Sequence, residues 1–220
     1  MNEHHLTVPR TARYFSLGAS ESAREAWVVL HGYGQLAGRF LRHFELLDDG
    51  ARVILAPEGL SRFYLDGNAS RKVGAAWMTR EDRLAEIVDY VRYLDQVAVE
   101  ALGGGRDPAL RMPLHVLGFS QGTATAARWL AQGSATARGA RRLILWGGEL
   151  PPDLDLATAR ARWSDLDLVF VVGAHDEFIT PKVLARDEAR LAEAGIRYRV
   201  VHFDGGHEIV PEVLRGLVSA

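Results

Sequence analysis

With 220 residues, the chain is long enough for one domain with a real core. Its 26 basic and 28 acidic residues leave a formal net charge of −2. They are interspersed, so no basic stripe points to nucleic acid and no acidic tail to a charged partner. The absence of cysteine excludes disulfides, thiolate metal sites and a cysteine nucleophile. The opening stretch Met1 to Leu6 lacks the positive and apolar regions of a leader, and no apolar run approaches the ~18 residues of a membrane span. The expectation is a cytoplasmic protein without membrane insertion. No linker divides residues 1–220, which are read as one domain.

In chain order, Leu6 to Val8 and Arg13 to Leu17 read as two weak strands, expected to form an antiparallel hairpin at a sheet edge. Ala26 to Leu30 is the first short run rich in β-branched and aromatic residues. A helix is expected over Gly38 to Leu47, then a strand over Val53 to Ala56 and a loop from Leu60 to Ala76. The clearest helix is Arg80 to Leu102, where Leu84, Ile87, Val88, Val91, Leu94 and Val97 recur at helical spacing. Gly103 to Gly105, before Arg106-Asp107-Pro108, reads as a surface loop. Strands follow at Leu114 to Leu117, Leu143 to Trp146, Leu168 to Val172 and Tyr198 to Phe203. They alternate with helices at Gln121 to Gln132, Lys182 to Ala194 and Glu208 to Val218. Strand–helix alternation with apolar strands predicts an α/β fold, a mostly parallel doubly wound sheet with helices on both faces. In such sheets the chemistry sits at the carboxyl ends of the strands.

One strand end carries a nucleophile pattern. Leu114 to Leu117 runs into Gly118-Phe119-Ser120-Gln121-Gly122 and then into a helix opening on small residues. In a Gly-x-Ser-x-Gly turn between strand and helix, the serine takes a strained backbone so that its hydroxyl protrudes, and the glycines remove side chains that would clash. A serine that merely caps a helix does not require both glycines. Ser120 is therefore the candidate nucleophile, and a serine hydroxyl needs a base. His207, in Phe203-Asp204-Gly205-Gly206-His207 after the last strand, is the candidate. His115 and His202 lie within strands, His43 on a helix face, and His4 and His5 near the terminus. The acid that orients the base is expected after the strand at 168 to 172, at Asp176. Asp204 is the rival, close to His207 in sequence; Asp165 and Asp167 precede the strand and lie at its wrong end.

Negative charge developing on a carbonyl oxygen needs N–H donors. The Gln121 amide, directly after the serine, is one candidate. The second comes from His31-Gly32-Tyr33-Gly34-Gln35 after an early strand, where the Tyr33 amide is favoured and the His31 ring is expected to brace the loop. The Gln121 side chain is expected to matter modestly, because the donor is its backbone. No His and carboxylate groups stand at metal-ligand spacing, and the mechanism needs no cofactor or metal.

Taken together, the motifs resemble the phospholipase/carboxylesterase family of α/β-hydrolases, which includes small bacterial carboxylesterases and acyl-protein thioesterases. The resemblance spans Trp27 to about Leu214. It rests on Leu30-His31-Gly32-Tyr33-Gly34, Ala56-Pro57-Glu58-Gly59, Ala75-Ala76-Trp77-Met78, Gly118 to Gly122, Gly147-Gly148-Glu149-Leu150-Pro151, Gly173 to Pro181 and Gly206-His207-Glu208-Ile209. It implies the α/β-hydrolase fold, a triad of Ser120, Asp176 and His207, an oxyanion hole from the Tyr33 and Gln121 amides, and cleavage of a small-molecule ester. Two positions depart from the family pattern: Trp77-Met78-Thr79, where an aromatic residue and Asp usually follow the Trp, and Ile179-Thr180, where Val usually precedes Pro181.

The expected function is a serine carboxylesterase for short- to medium-chain acyl esters. Alternatives are a thioesterase or lysophospholipase with the same triad, or a non-catalytic binding protein on the same fold. The segment Asp153 to Trp163 can form one short helix, so no large cap domain is expected. The acyl group would lie against Tyr33, Phe63, Trp77, Met78 and Phe178, for each of which core packing is the alternative. Monomer and homodimer both stay open.

Overall fold

The computed structural model describes residues 1–19, 22–67, 69–102, 112–134 and 139–219. Within it the apolar runs lie side by side, because the central strands are apolar on both faces and only neighbours above, below and beside them can bury them. The strands are β1 (Tyr14–Leu17), β2 (Glu25–Leu30), β3 (Arg52–Pro57), β6 (Leu114–Phe119), β7 (Ala140–Trp146), β8 (Asp167–Gly173) and β9 (Arg199–Phe203). They form one sheet in the order β1-β3-β2-β6-β7-β8-β9. The pairings from β3 to β9 are parallel, and β1 alone runs antiparallel, against β3.

Side-chain alternation divides the core in two. In β2, Ala26, Val28 and Leu30 face one cluster and Trp27 and Val29 the other. The first cluster is closed by α2 (Arg83–Ala101), α3 (Gln121–Gln132), α4 (Leu156–Arg162) and α5 (Pro181–Ala194), with Tyr90, Leu94, Trp129, Ala159 and Leu191 buried in it. The second is closed by α1 (Ala37–Phe40), the 3₁₀ turn Leu41–Leu47 and α6 (Pro211–Ser219), through Phe40, Phe44, Leu214 and Leu217. Helices therefore cover both faces, as the alternation of elements implies. Among the described residues, no helix is long and apolar enough to cross a membrane.

Four expectations need correction. Leu6–Val8 is exposed and forms no strand, so the edge hairpin does not exist; β1 pairs directly with β3. Three residues could offer the sheet little apolar surface to bury. The expected helix over 38–47 is one turn of α-helix followed by 3₁₀ structure. The loop from Leu60 to Ala76 contains an antiparallel hairpin, β4 (Ser61–Tyr64) and β5 (Val73–Ala76), that stands apart from the main sheet. Leu84 and Val88 belong to the exposed side of α2, whose buried side is Ile87, Tyr90, Leu94 and Val97. The expected loop over Gly103 to Pro108 lies outside the described residues.

The chain runs from β2 outward to β3, then crosses back to place β6 on the other side of β2. The sheet thus has its topological switch point between β2 and β6, where the loops at the carboxyl ends diverge and leave a crevice. Ser120 follows β6 there, and Tyr33 follows β2. The start of α3 lies so close to the end of β2 that a Cβ on Gly122 would stand 2.2 Å from the Leu30 carbonyl oxygen, and the turn is so tight that one on Gly118 would stand 2.2 Å from that of Gly122. Both obstacles are backbone and cannot turn aside. Gly122→Ala is therefore expected to cost about 2 kcal/mol or more, seen as a fall in Tm of about 5 °C or more in a thermal melt.

Candidate active site

Ser120 has φ 54° and ψ −120°, a left-handed conformation that a serine adopts only under constraint. Three hydrogen bonds supply that constraint. The Ser120 N–H donates to the Trp146 carbonyl at 2.9 Å, and the Ser120 carbonyl accepts from the Thr123 N–H at 3.0 Å and the Thr123 hydroxyl at 2.7 Å. The side chain stands at the mouth of α3, half-buried. Small residues after it let α3 lie against the sheet, with Gly122, Thr123, Ala126 and Ala127 buried.

His207 sits in the turn after β9. Its Nδ1 is 2.9 Å from Asp176 Oδ2, the carboxylate being in the turn after β8. Because a carboxylate can only accept, Nδ1 carries the proton and the Nε2 lone pair is left to take one. Phe119 and Phe178 pack against the imidazole with ring centroids 4.8 Å and 4.7 Å away. The other Asp176 oxygen accepts from the Phe178 and Ile179 amides at 2.8 Å and 3.0 Å. Burial alone would raise the Asp176 pKa. The hydrogen bonds from His207, Ile179 and Phe178 outweigh it and hold the carboxyl below its ordinary value. The rival Asp204 is 95% exposed and pairs with His175, at 3.2 Å from its Nε2.

One turn lies against all three candidate residues. A Cβ on Gly147 would lie 3.1 Å from His207 Nδ1 and 3.3 Å from Asp176 Oδ2; one on Gly148 would lie 2.6 Å from the Ser120 carbonyl oxygen. Gly147 also has φ +56°, so glycine is required there twice over. Trp146, just before it, receives the Ser120 N–H on its carbonyl and donates its indole N–H to the Glu208 carbonyl at 2.8 Å.

Across the crevice, the loop after β2 presents amides. The Gly32 N–H donates to Gln35 Oε1, the Gly34 N–H to the Ala75 carbonyl and the Gln35 N–H to the Gly32 carbonyl. Among the described residues, no acceptor takes the Tyr33 N–H. The Gln121 amide lies in the first turn of α3, where N–H groups have no intrahelical partner. His31 is fully buried, accepts the Gly59 N–H on Nε2 at 3.0 Å, and has Nδ1 2.8 Å from the Gly32 carbonyl. Both ring nitrogens are thus committed to bracing the loop, and burial pushes the imidazole below its ordinary pKa.

The five candidate wall residues separate. Tyr33 is exposed and stacks near half-buried Phe63, centroids 5.1 Å apart. Phe178 is exposed beside His207, and Met78 is half-buried. Trp77 is in the core, 2% exposed, its indole N–H donating to the His31 carbonyl at 2.9 Å.

Several side chains have roles that the sequence reading did not assign. The Gln121 carboxamide bridges to Trp77 and Met78. Asp187, within a run of charged helix residues, is 1% exposed and accepts the Leu150 N–H at 2.7 Å, which anchors the 147–152 turn. Glu58 is 2% exposed, accepts from Arg13 Nε at 2.8 Å and from the Ala37 N–H at 3.3 Å, and so ties the start of α1 to the end of β3. The side chains that could together hold a metal ion, among the described residues, are Glu3, His5 and Asp82; all three are exposed and none belongs to this site.

A family model described as "Serine hydrolase (FSH1)" matches residues 68–215. No curated protein is similar enough in sequence to count as a relative. The fold is shared with solved structures at low identity. The carboxylesterase from Mesorhizobium loti is 20% identical, with 95% of each chain covered and a TM-score of 0.68. The acyl-protein thioesterase 2 of Zea mays is 18% identical, with 95% of this chain and 97% of that chain covered and a TM-score of 0.67. The Bacillus cereus carboxylesterase is 13% identical, with 94% and 92% covered and a TM-score of 0.67. These neighbours carry the α/β-hydrolase fold, as the motif resemblance implied.

The depressed Asp176 pKa has a consequence for stability. A carboxyl whose folded pKa lies below its unfolded value stabilises the fold above the unfolded value, about 4, and loses that contribution as pH falls through the folded pKa. Protonated Asp176 resembles asparagine. The Tm difference between the native protein and Asp176→Asn is therefore expected to narrow on acidification from about pH 6 to about pH 3. A constant difference would show that the carboxylate charge contributes nothing.

Proposed function

We propose that this chain, which belongs to the FSH1 serine hydrolase family, cleaves carboxylic esters of small molecules through an acyl-enzyme on Ser120. The observation that carries the reading is the His207–Asp176 hydrogen bond of 2.9 Å, set behind a positive-φ serine at the switch point of the sheet. In this mechanism His207 Nε2 takes the Ser120 proton as the hydroxyl oxygen attacks the ester carbonyl. Asp176 holds the imidazole in the required tautomer and stabilises the imidazolium. The Tyr33 and Gln121 amides receive the oxyanion. Collapse of the tetrahedral intermediate expels the alcohol with the proton from His207. Water, activated by the same imidazole, then releases the acid.

Ser120→Ala should lower kcat by about 10⁴-fold or more while leaving the melt unchanged, and it should abolish labelling by a fluorophosphonate probe. Labelling that persists in the variant would remove Ser120 from the nucleophile role. Absence of labelling in the native protein would favour a non-catalytic member of the fold. Asp176→Asn should cost about 10⁴-fold in kcat, and Asp204→Asn little, since Asp204 faces solvent. The reverse order would make Asp204 the acid.

The acyl group is assigned to an uncapped groove lined by Tyr33, Phe63, Met78 and Phe178, with Trp77 behind it. Support comes from the segment between β7 and β8. Its only helix is α4, and its apolar residues Leu154, Ala159 and Trp163 are buried in the core, which leaves nothing to form a lid. Each methylene held in the groove contributes about 0.8 kcal/mol until the groove ends. Across a series of soluble esters, kcat/KM should therefore rise over the shortest acyl chains, peak, and fall. A continued rise to long chains, with activation at a lipid–water interface, would require a lid or tunnel. The matched thioester, run in parallel, decides between an esterase and a thioesterase.

A further inference from the structure

We infer that the Gln121 side chain is a positioning residue that sets the spacing between the two oxyanion-binding amides; the inference rests on the acyl-transfer reading of Ser120. One of those amides is Gln121's own, fixed by α3. The other, on Tyr33, belongs to a loop that is not part of any strand. That loop hangs on the hairpin strand β5 and the residues just after it. The Gly34 N–H donates to the Ala75 carbonyl at 2.9 Å, the Ala75 N–H to the Gln35 carbonyl at 3.1 Å, and the Trp77 indole N–H to the His31 carbonyl at 2.9 Å. Yet β5 pairs only with β4, in a two-stranded sheet separate from the main one. Backbone hydrogen bonds tie residue 75 to the loop after β2, but among the described residues none joins residues 77–78 to α3.

The Gln121 carboxamide makes that direct connection. Its Oε1 accepts the Trp77 N–H at 3.0 Å and its Nε2 donates to the Met78 carbonyl at 2.8 Å. Donor and acceptor are used together, as a peptide group would use them in a ladder. The chain of contacts runs from the residue after the nucleophile, through 77–78 and 75, to 34–35, and so to Tyr33. A glutamate carboxylate accepts from Trp77 but presents an acceptor to the Met78 carbonyl, and leucine does neither while filling a similar volume. Displacing an oxyanion donor by a fraction of an ångström weakens it only in the transition state, so the loss belongs in kcat.

The test uses the full chain with Gln121→Leu and Gln121→Glu, assayed on a soluble short-chain ester, with rates expressed per active site titrated by a fluorophosphonate. An alkyl trifluoromethyl ketone serves as the second probe. It adds to the Ser120 oxygen as a hemiketal, the serine proton passing to His207, and places an oxyanion in the same position. For Gln121→Leu, kcat is expected to fall about 10- to 100-fold with KM within about threefold, and the ketone inhibition constant to weaken in parallel. Gln121→Glu should fall between leucine and native. Native kcat per titrated site in Gln121→Leu would overturn the inference while leaving Ser120 as nucleophile. A loss confined to KM, or to the number of titratable sites, would overturn it as well, since those mark substrate contact or folding. If the native protein is neither labelled nor active, the acyl-transfer reading fails and this inference falls with it.

Discussion

The backbone of Ser120 is the constraint around which the molecule is arranged. A positive φ at a residue with a side chain costs about 1–3 kcal/mol, and it persists only where surrounding structure over-determines it. Here β7 takes the serine N–H, and Thr123 takes its carbonyl twice, once by amide and once by hydroxyl. Leu30 lies so close that residue 122 can only be glycine. These contacts require β2, β6 and β7 to be adjacent and in register, and the sheet order places them so. The strain and the central position of β6 are therefore one fact. A serine that protrudes from the sheet can be held only by strands on both sides.

From that turn, order spreads along neighbouring strand ends. Trp146 is shared between two loops of the candidate site, its carbonyl with Ser120 and its indole with Glu208, next to His207. The glycines after it let the His207–Asp176 pair approach the serine turn without a side chain between them. Further out, buried carboxylates play for loops the part that ladders play for strands. Asp187 holds the 147–152 turn, and Glu58 holds the start of α1. A carboxylate buried at such a place is stable because several donors meet it, and its removal would leave those donors orphaned.

The polar groups at the crevice divide by what they can do. His31 has both ring nitrogens occupied and a pKa lowered by burial, so it is a neutral brace. His207 has Nδ1 occupied by a carboxylate, and its Nε2 is the nitrogen proposed as base. His175 and Asp204 pair in solvent, where an exposed hydrogen bond contributes little. The same residue types thus fill three roles, and burial with partner chemistry, more than identity, separates them.

The sequence by itself determined the class of fold, since alternating apolar strands and amphipathic helices have few ways to bury both faces of a sheet. It also determined the candidates Ser120, Asp176 and His207, because each stands just past a strand, next to glycines that only a tight turn needs. Local pattern carries that information. It could not show that Leu6–Val8 stays out of the sheet or that residues 61–76 form a separate hairpin, since both depend on which neighbours offer surface to pair with. It could not separate Trp77, buried beneath the site, from Tyr33 and Phe178, exposed at its rim; an aromatic residue suits either place. Nor could it assign the Gln121 carboxamide, whose partners lie 43 and 44 residues away in the chain. Contacts of that separation leave no periodicity in the sequence. They exist only once the strands have paired, because a hydrogen bond needs its two partners within about 3 Å and only the folded sheet brings them there.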